Sequence, residues 1–327
     1  MTSGTMAIEV QGLTKVYHPP SSPPVTALDG LDLTVRRGEI FGLLGKNGAG
    51  KTTLLRILTT LMPPSAGRVT ILGHDVIDDS LRVRQNICVV LQENAVELYL
   101  SVLDNLITYA RFHALARRDI IPRAERVMEQ FGLTEHRAQK VIDLSGGLKR
   151  RVQVAKVFMV EKPIVFLDEA TTGMDPINKR ATLTAIREQA RAGRTIFLTT
   201  HILEEAEELC DTIAIIDRGK CLAMGSLPAI KSLIPNAFEI SITFDMLPES
   251  LAAEFRALPL LKLEQKHATI EARIRAIDLP LLETISRLAR GATVRHFEVR
   301  SATLEDVFVG LLGSGARTSD TREPGAP

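Results

Sequence analysis

The sequence holds no tryptophan and three cysteines, Cys88, Cys210 and Cys221, none of them in Cys-x-x-Cys spacing. That argues against a disulfide framework or a thiolate zinc site, and it is the usage expected of small core residues in a reducing compartment. Neither sign of charge is in excess. The 40 basic and 39 acidic side chains leave a net +1, so bulk electrostatics give no pull toward nucleic acid or an anionic surface. No apolar run approaches the roughly eighteen residues that cross a bilayer. Residues 1–6 have neither the basic nor the apolar region of a secretory leader. A cytosolic chain is expected, with any membrane role borrowed from a partner. At 327 residues there is room for one large domain or two.

What is present is a phosphate-cradling loop. Gly45-Lys46-Asn47-Gly48-Ala49-Gly50-Lys51-Thr52 has the form G-x-x-x-x-G-K-[ST]. The apolar run 40–44 before it has the length of a buried strand. After it, Leu54, Leu55, Leu58 and Leu61 recur at helical spacing. The glycines let backbone N–H groups face a polyphosphate, and the following helix start adds the positive end of its dipole. Lys51 is then in reach of the outer phosphates, and the Thr52 hydroxyl of a magnesium ion.

Strands are expected at 7–17, 25–35, 68–72 and 87–91, a Pro-rich loop at 18–24, and helical pattern from 101 to about 139, interrupted near Ile121-Pro122 and Gly132. A striped helix follows Ser145-Gly146-Gly147 and ends near Glu161. Strand 164–167 runs into Asp168-Glu169, helix 176–192 stops at Gly193, and strand 195–200 runs into His201. An acidic helix and a hairpin about 217–220 complete the first domain. Strands alternating with helices argue for an α/β fold with a largely parallel sheet, whose ligand lies beyond the carboxyl ends of the strands. Gly45, Gln92, Asp168-Glu169 and His201 each fall just past such an end, so four distant segments point polar groups at one place.

This combination resembles the nucleotide-binding subunits of ABC transporters across residues 7–225. Its specific element is Leu144-Ser145-Gly146-Gly147, the ABC signature, between the P-loop and the Asp168-Glu169 Walker B segment. The resemblance implies a P-loop NTPase of ABC ATPase type: a mainly parallel sheet core, an antiparallel β subdomain, a helical subdomain at about 93–160, and a small α+β C-terminal domain. It implies ATP and Mg2+ as cofactors and ATP hydrolysis as the activity. Asp168, with Thr52 and Gln92, would hold magnesium, and Glu169 would be the base or water-positioner. Lys51 and His201 would contact the γ-phosphate, Thr53 would join the loop's contacts, and Tyr17 would stack on adenine. Ser145, Gly146 and Gly147 would serve the nucleotide of the opposite protomer in a homodimer, with Asp175 crossing that interface in the D-loop. A separate integral-membrane permease is implied as partner, with the chain peripheral on its cytoplasmic face.

The chain departs from the family pattern at Lys46 (usually Pro), Leu148 (Gln), Ala170 (Pro) and Met174 (Leu). None removes a metal ligand, base or phosphate contact, while Ala170 and Met174 touch D-loop geometry and so turnover. Leu148-Lys149-Arg150-Arg151 is similar to the exporter branch that serves drug resistance, sodium efflux and nodulation signals. Bland alternatives exist for single residues: Ser145 as an ordinary helix cap, Tyr17 as core, the basic run as a solvated face. Two other functions stay open, a soluble ABC ATPase acting on ribosome or nucleic acid and a non-hydrolysing regulatory module. The chain lacks the tandem cassettes or heptads usual in the first, and the intact Asp168, Glu169 and His201 speak against the second.

After Pro228 the expected order is β-α-β-β-α-β, a small split-βαβ domain. The boundaries read as 1–228 for the ATPase domain, 229–312 for a dimer-stabilising or regulatory appendage, and 313–327 for a disordered tail. Segment 301–308 is similar to the ends of drug-exporter ATPase subunits.

Overall fold

Runs in which every residue is apolar have no wet face to offer, and in this chain they become the inner strands of a parallel sheet. The computed structural model describes residues 6–314 apart from 93–94, 234–237, 248, 257, 259, 261, 275–278, 290–291 and 301–302. Residues up to Ser226 form one compact unit and those from Leu227 a second.

The first unit runs β1 (Met6–Tyr17), β2 (Val25–Arg36), β3 (Ile40–Leu44), α1 (Lys51–Leu58), β4 (Ala66–Ile71), β5 (His74–Asp75), α2 (Ser80–Asn86), β6 (Ile87–Val90), α3 (Val102–Phe112), α4 (Arg117–Gln130), α5 (Gly146–Val157), β7 (Ile164–Asp168), α6 (Pro176–Arg191), β8 (Thr195–Thr200), α7 (Leu203–Leu209), β9 (Thr212–Asp217) and β10 (Lys220–Gly225). Strands β10-β9-β3-β8-β7-β6 make the central sheet. Its members are parallel from β9 to β6, and β10 is an antiparallel edge. Alternate residues of β7 enter different cores. Val165 and Leu167 pack with α3 to α6, whereas Ile164 and Phe166 pack with α1 and the antiparallel sheet β2-β1-β4-β5. Both faces are thus dry, and stacked Phe41 and Phe197 rings, 5.2 Å apart, anchor one of them.

The second unit runs α8 (Leu227–Lys231), β11 (Phe238–Phe244), α9 (Glu249–Arg256), β12 (Lys262–Lys266), β13 (Thr269–Ile274), α10 (Leu279–Ala289), β14 (Val294–Arg300) and α11 (Leu304–Ser314). Its sheet order is β12-β13-β11-β14, all pairs antiparallel. Ile240, Ile242 and Phe244 of β11 pack with Phe255, Ile270 and Ile285 in its core.

Several boundaries differ from expectation. The P-loop helix stops at Leu58, where Thr60 turns to φ +61°, and Leu61 lies beyond it, 63% exposed. The break at Pro122 does not occur: Pro122 sits inside α4, where its missing N–H removes one intrahelical bond, and the chain turns earlier, at 113–116, with Ala114 at φ +56°. Helix α5 ends at Val157 rather than near Glu161. Helices α2 and α11 were not anticipated. Of the tail expected at 313–327, Gly313 and Ser314 instead end helix α11, and the rest lies outside the described residues.

Candidate functional site

Strand β3 delivers the chain into a loop where a side chain would not fit at Gly45 or Gly50. A Cβ on Gly45 would lie 2.7 Å from the Ile216 carbonyl oxygen, and one on Gly50, at φ +110°, 2.7 Å from the Ala27 oxygen. Gly48 is also left-handed, at φ +83°. Ala49 N donates to Lys46 O at 3.1 Å and closes the turn. Gly50 caps α1 without a side chain, and the first turn holds no acid, so the helix start keeps its N–H groups and dipole for an anion.

Lys51 is buried and curls back on the loop, its Nζ donating to the carbonyls of Gly45 at 2.6 Å and Lys46 at 3.2 Å. Burial lowers its pKa, and the charges of Glu169 and Asp168 oppose that shift. A cleft of about 380 Å³ opens here, lined by Asn47, Gly48, Gly50, Lys51, Thr52 and Thr53 together with Gln92, Glu169 and His201. The last three come from the ends of β6, β7 and β8. Parallel pairing of β6 with β7 and of β7 with β8 sets those ends side by side.

The Glu169 carboxylate is held from two sides. Gln92 Nε2 donates to its Oε2 at 3.3 Å, and His201 Nδ1 lies 3.0 Å from its Oε1. Its backbone is left-handed, at φ +48°, with N donating to Thr199 O and O accepting from Thr172 N. Strain of this kind in a non-glycine residue persists only where surrounding bonds over-determine it. Asp168 is buried behind it. Burial raises its pKa, while the Thr199 hydroxyl, bonded to its Oδ1, pulls the other way. Thr52 and Gln92 line the cleft, whereas Asp168, the last residue of β7, is not among its lining; hydroxyl, amide and carboxylate oxygens of these kinds suit a hard divalent cation.

Tyr17 lies beside the cleft, its hydroxyl 3.3 Å from Thr53 Oγ1 and 3.2 Å from Met62 Sδ. Within this one chain the cleft does not gather Ser145, Gly146, Gly147 and Asp175. Ser145 caps α5 by accepting from Leu148 N at 3.3 Å. A Cβ on Gly147 would meet Met174 Cα at 3.4 Å, so the signature turn packs against the D-loop. Asp175 caps α6 through the N–H groups of Ile177 and Asn178, and the bonds from Asn178 hold its carboxyl below the usual range. Sequence reading missed Thr199, and the alternative of a solvated face for the basic run fails for Arg150 and Arg151, both of which are buried. Neither Thr199 nor Arg150 sits in a spacing that marks chemistry, and each is bonded to a segment distant in sequence.

The ABC transporter family model matches residues 28–172. The daunorubicin/doxorubicin resistance ATP-binding protein DrrA of Streptomyces peucetius is 34% identical over 98% of this chain and 97% of its own length. This chain is an ABC transporter ATP-binding subunit. It is therefore an ATPase of the P-loop class whose family energises transport. The nodulation-factor export ATP-binding protein I of Neorhizobium galegae is 33% identical to this ABC subunit over 94% of the chain and 86% of its own. A solved ATP-binding subunit of an ABC transporter superimposes with TM-score 0.62 at 29% identity, covering 69% of this chain and 92% of that one. The cbiO1 subunit of Clostridium perfringens, part of an ABC transporter complex, gives TM-score 0.61 at 26% identity over 68% of this chain and 89% of that one.

Proposed function

We propose that the chain energises an exporter of drug-like, lipid or glycolipid molecules, as a peripheral subunit on the cytoplasmic face of a separate membrane permease. Two copies clamp two ATP molecules, each between one copy's P-loop and the other's Ser145–Gly147 turn. The 34% identity to a drug-resistance subunit over nearly the whole chain supports export, and no described helix is long and apolar enough to cross a membrane itself.

The reading rests above all on one arrangement: Gln92, Glu169 and His201 meet beside a loop whose turns depend on Gly45, Gly48 and Gly50. In this reading the loop N–H groups and Lys51 bind the phosphates, and Tyr17 takes the adenine. Thr52, Gln92 and Asp168 would hold Mg2+, which when bound neutralises phosphate charge during transfer. His201 orients Glu169 and reaches the γ-phosphate. Glu169 accepts a proton from the attacking water, its carboxylate held by two neighbours so that little reorganisation is needed. Asp175 meets the partner copy across the interface. The second unit is an appendage that stabilises or regulates the dimer, because every residue assigned to chemistry precedes it.

The test is Glu169→Gln in the full-length chain with Mg-ATP. ATP binding persists, phosphate release falls by about 10²-fold or more as expected for losing a general base, and sedimentation shows an ATP-bound dimer. A variant that still hydrolyses moves the base elsewhere, and one that stays monomeric with its permease present removes the clamp.

A further inference from the structure

Helix α5 carries a buried cation that hydrogen-bonds no carboxylate among the described residues. Arg150, 7% exposed, lies one turn beyond the signature residues. Its Nη1 donates to the carbonyl oxygens of Leu91 at 2.7 Å and Gln92 at 3.3 Å, and to Gln153 Oε1 at 2.8 Å. Its Nη2 donates to the carbonyl oxygens of Asp168 and of Glu169, the latter at 3.1 Å. Gln153 Nε2 adds a bond to the Leu91 oxygen at 2.9 Å. One nitrogen therefore holds the chain leaving β6, and the other holds the chain leaving β7.

Burying a guanidinium is unfavourable unless its donors are satisfied, and here they are spent on main-chain oxygens at the catalytic edge of the sheet. The carboxylates of Asp168 and Glu169 oppose the effect of burial on its charge. The two segments it joins carry the Gln92 and Glu169 side chains that touch at 3.3 Å. One of them, Glu169, is in the left-handed region at φ +48°, where its carbonyl needs fixed partners.

We infer that Arg150 is a positioning residue for hydrolysis: its planar fork fixes the backbones of Gln92 and Glu169 relative to each other and to the signature helix, and so aims the Glu169 carboxylate. This rests on the proposed role of Glu169. It also ties the attitude of that carboxylate to α5, the helix whose first residues are assigned to the partner's nucleotide. A lysine at 150 supplies the charge and three donors, but all from one point, so it lacks the planar spread by which the fork reaches both segments.

The experiment uses full-length R150K, which keeps the cation and the aliphatic stem, with R150M beside it. Steady-state ATP hydrolysis, ATP affinity measured in the E169Q background, and thermal midpoint are recorded. A misplacement of the reacting group on the order of 1 Å lowers turnover by about 10²-fold. Accordingly kcat of R150K falls at least about tenfold and that of R150M further, while KM, ATP affinity and the midpoint of R150K stay near wild type. Wild-type kcat in R150K overturns the inference, since charge alone would then suffice. A parallel loss of kcat, ATP affinity and midpoint in R150K overturns it too, by making the role one of general stability. Hydrolysis by E169Q alone defeats the assignment of Glu169 and the inference with it. An inactive E169Q beside a fully active R150K defeats the inference only.

Discussion

His201 Nδ1 lies 3.0 Å from Glu169 Oε1, joining the first residue after β8 to the first residue after β7. The two are 32 positions apart in sequence and become neighbours because β7 and β8 run parallel in register, with Asp168 opposite Thr199. Removing the imidazole leaves Gln92 as the remaining side-chain partner of the Glu169 carboxylate. His201→Ala is expected to lower kcat by about 10²-fold, the usual scale for a group acting on proton transfer, with KM for ATP little changed. Steady-state phosphate release checks it.

Lys51 gives a pH prediction with a definite sign. Burial lowers its pKa in the free protein, and a bound phosphate brings negative charge that raises it again. Below the lowered value Lys51 is protonated in both states, and no proton moves. Above it, binding ADP takes up a proton, so affinity falls as pH rises through that value toward the ordinary lysine range. Calorimetry in buffers of different ionisation enthalpy measures the uptake, and Lys51→Ala abolishes it. The same variant loses hydrolysis and weakens nucleotide binding by about tenfold or more, given the roughly 1.5–3 kcal/mol of a hydrogen bond to a charged group.

Gly67 does not line the cleft but is closely packed. Its φ is +87°, and a Cβ there would sit 2.6 Å from the carbonyl carbon of Gly12 in the neighbouring strand. Gly67→Ala is expected to destabilise the first unit by about 1–3 kcal/mol, through backbone strain and a clash that only main-chain movement relieves. Urea unfolding checks the loss. Nucleotide affinity in folded protein stays unchanged.

A chain ending at Ser226 keeps every residue that lines the cleft. It is expected to fold and to bind ADP as the full chain does, while ATP-dependent dimerisation weakens. Loss of nucleotide binding in a folded truncation would mean the second unit is more than an appendage. Binding assays with sedimentation separate the two outcomes.

The sequence by itself determined the loop and its chemistry, because Gly48 and Gly50 meet a local demand for left-handed backbone, whereas the need for Gly45, room for the Ile216 carbonyl, comes from packing. It also determined the order in which polar residues end apolar strands, which was enough to bring Gln92, Asp168, Glu169 and His201 to one edge. It misjudged Leu61 and Pro122, because helix ends follow local turns at 59–60 and 113–116 that periodicity does not encode. Only the tertiary structure decided which way the Glu169 carboxylate points, that Thr199 bonds Asp168, and that Arg150 on α5 holds two strand ends together. Those are bonds across 18 to 77 residues of chain, made by parallel pairing and a buried fork. Spacing along a sequence specifies which residues share a face of one element, whereas contact between elements follows from how their apolar faces pack.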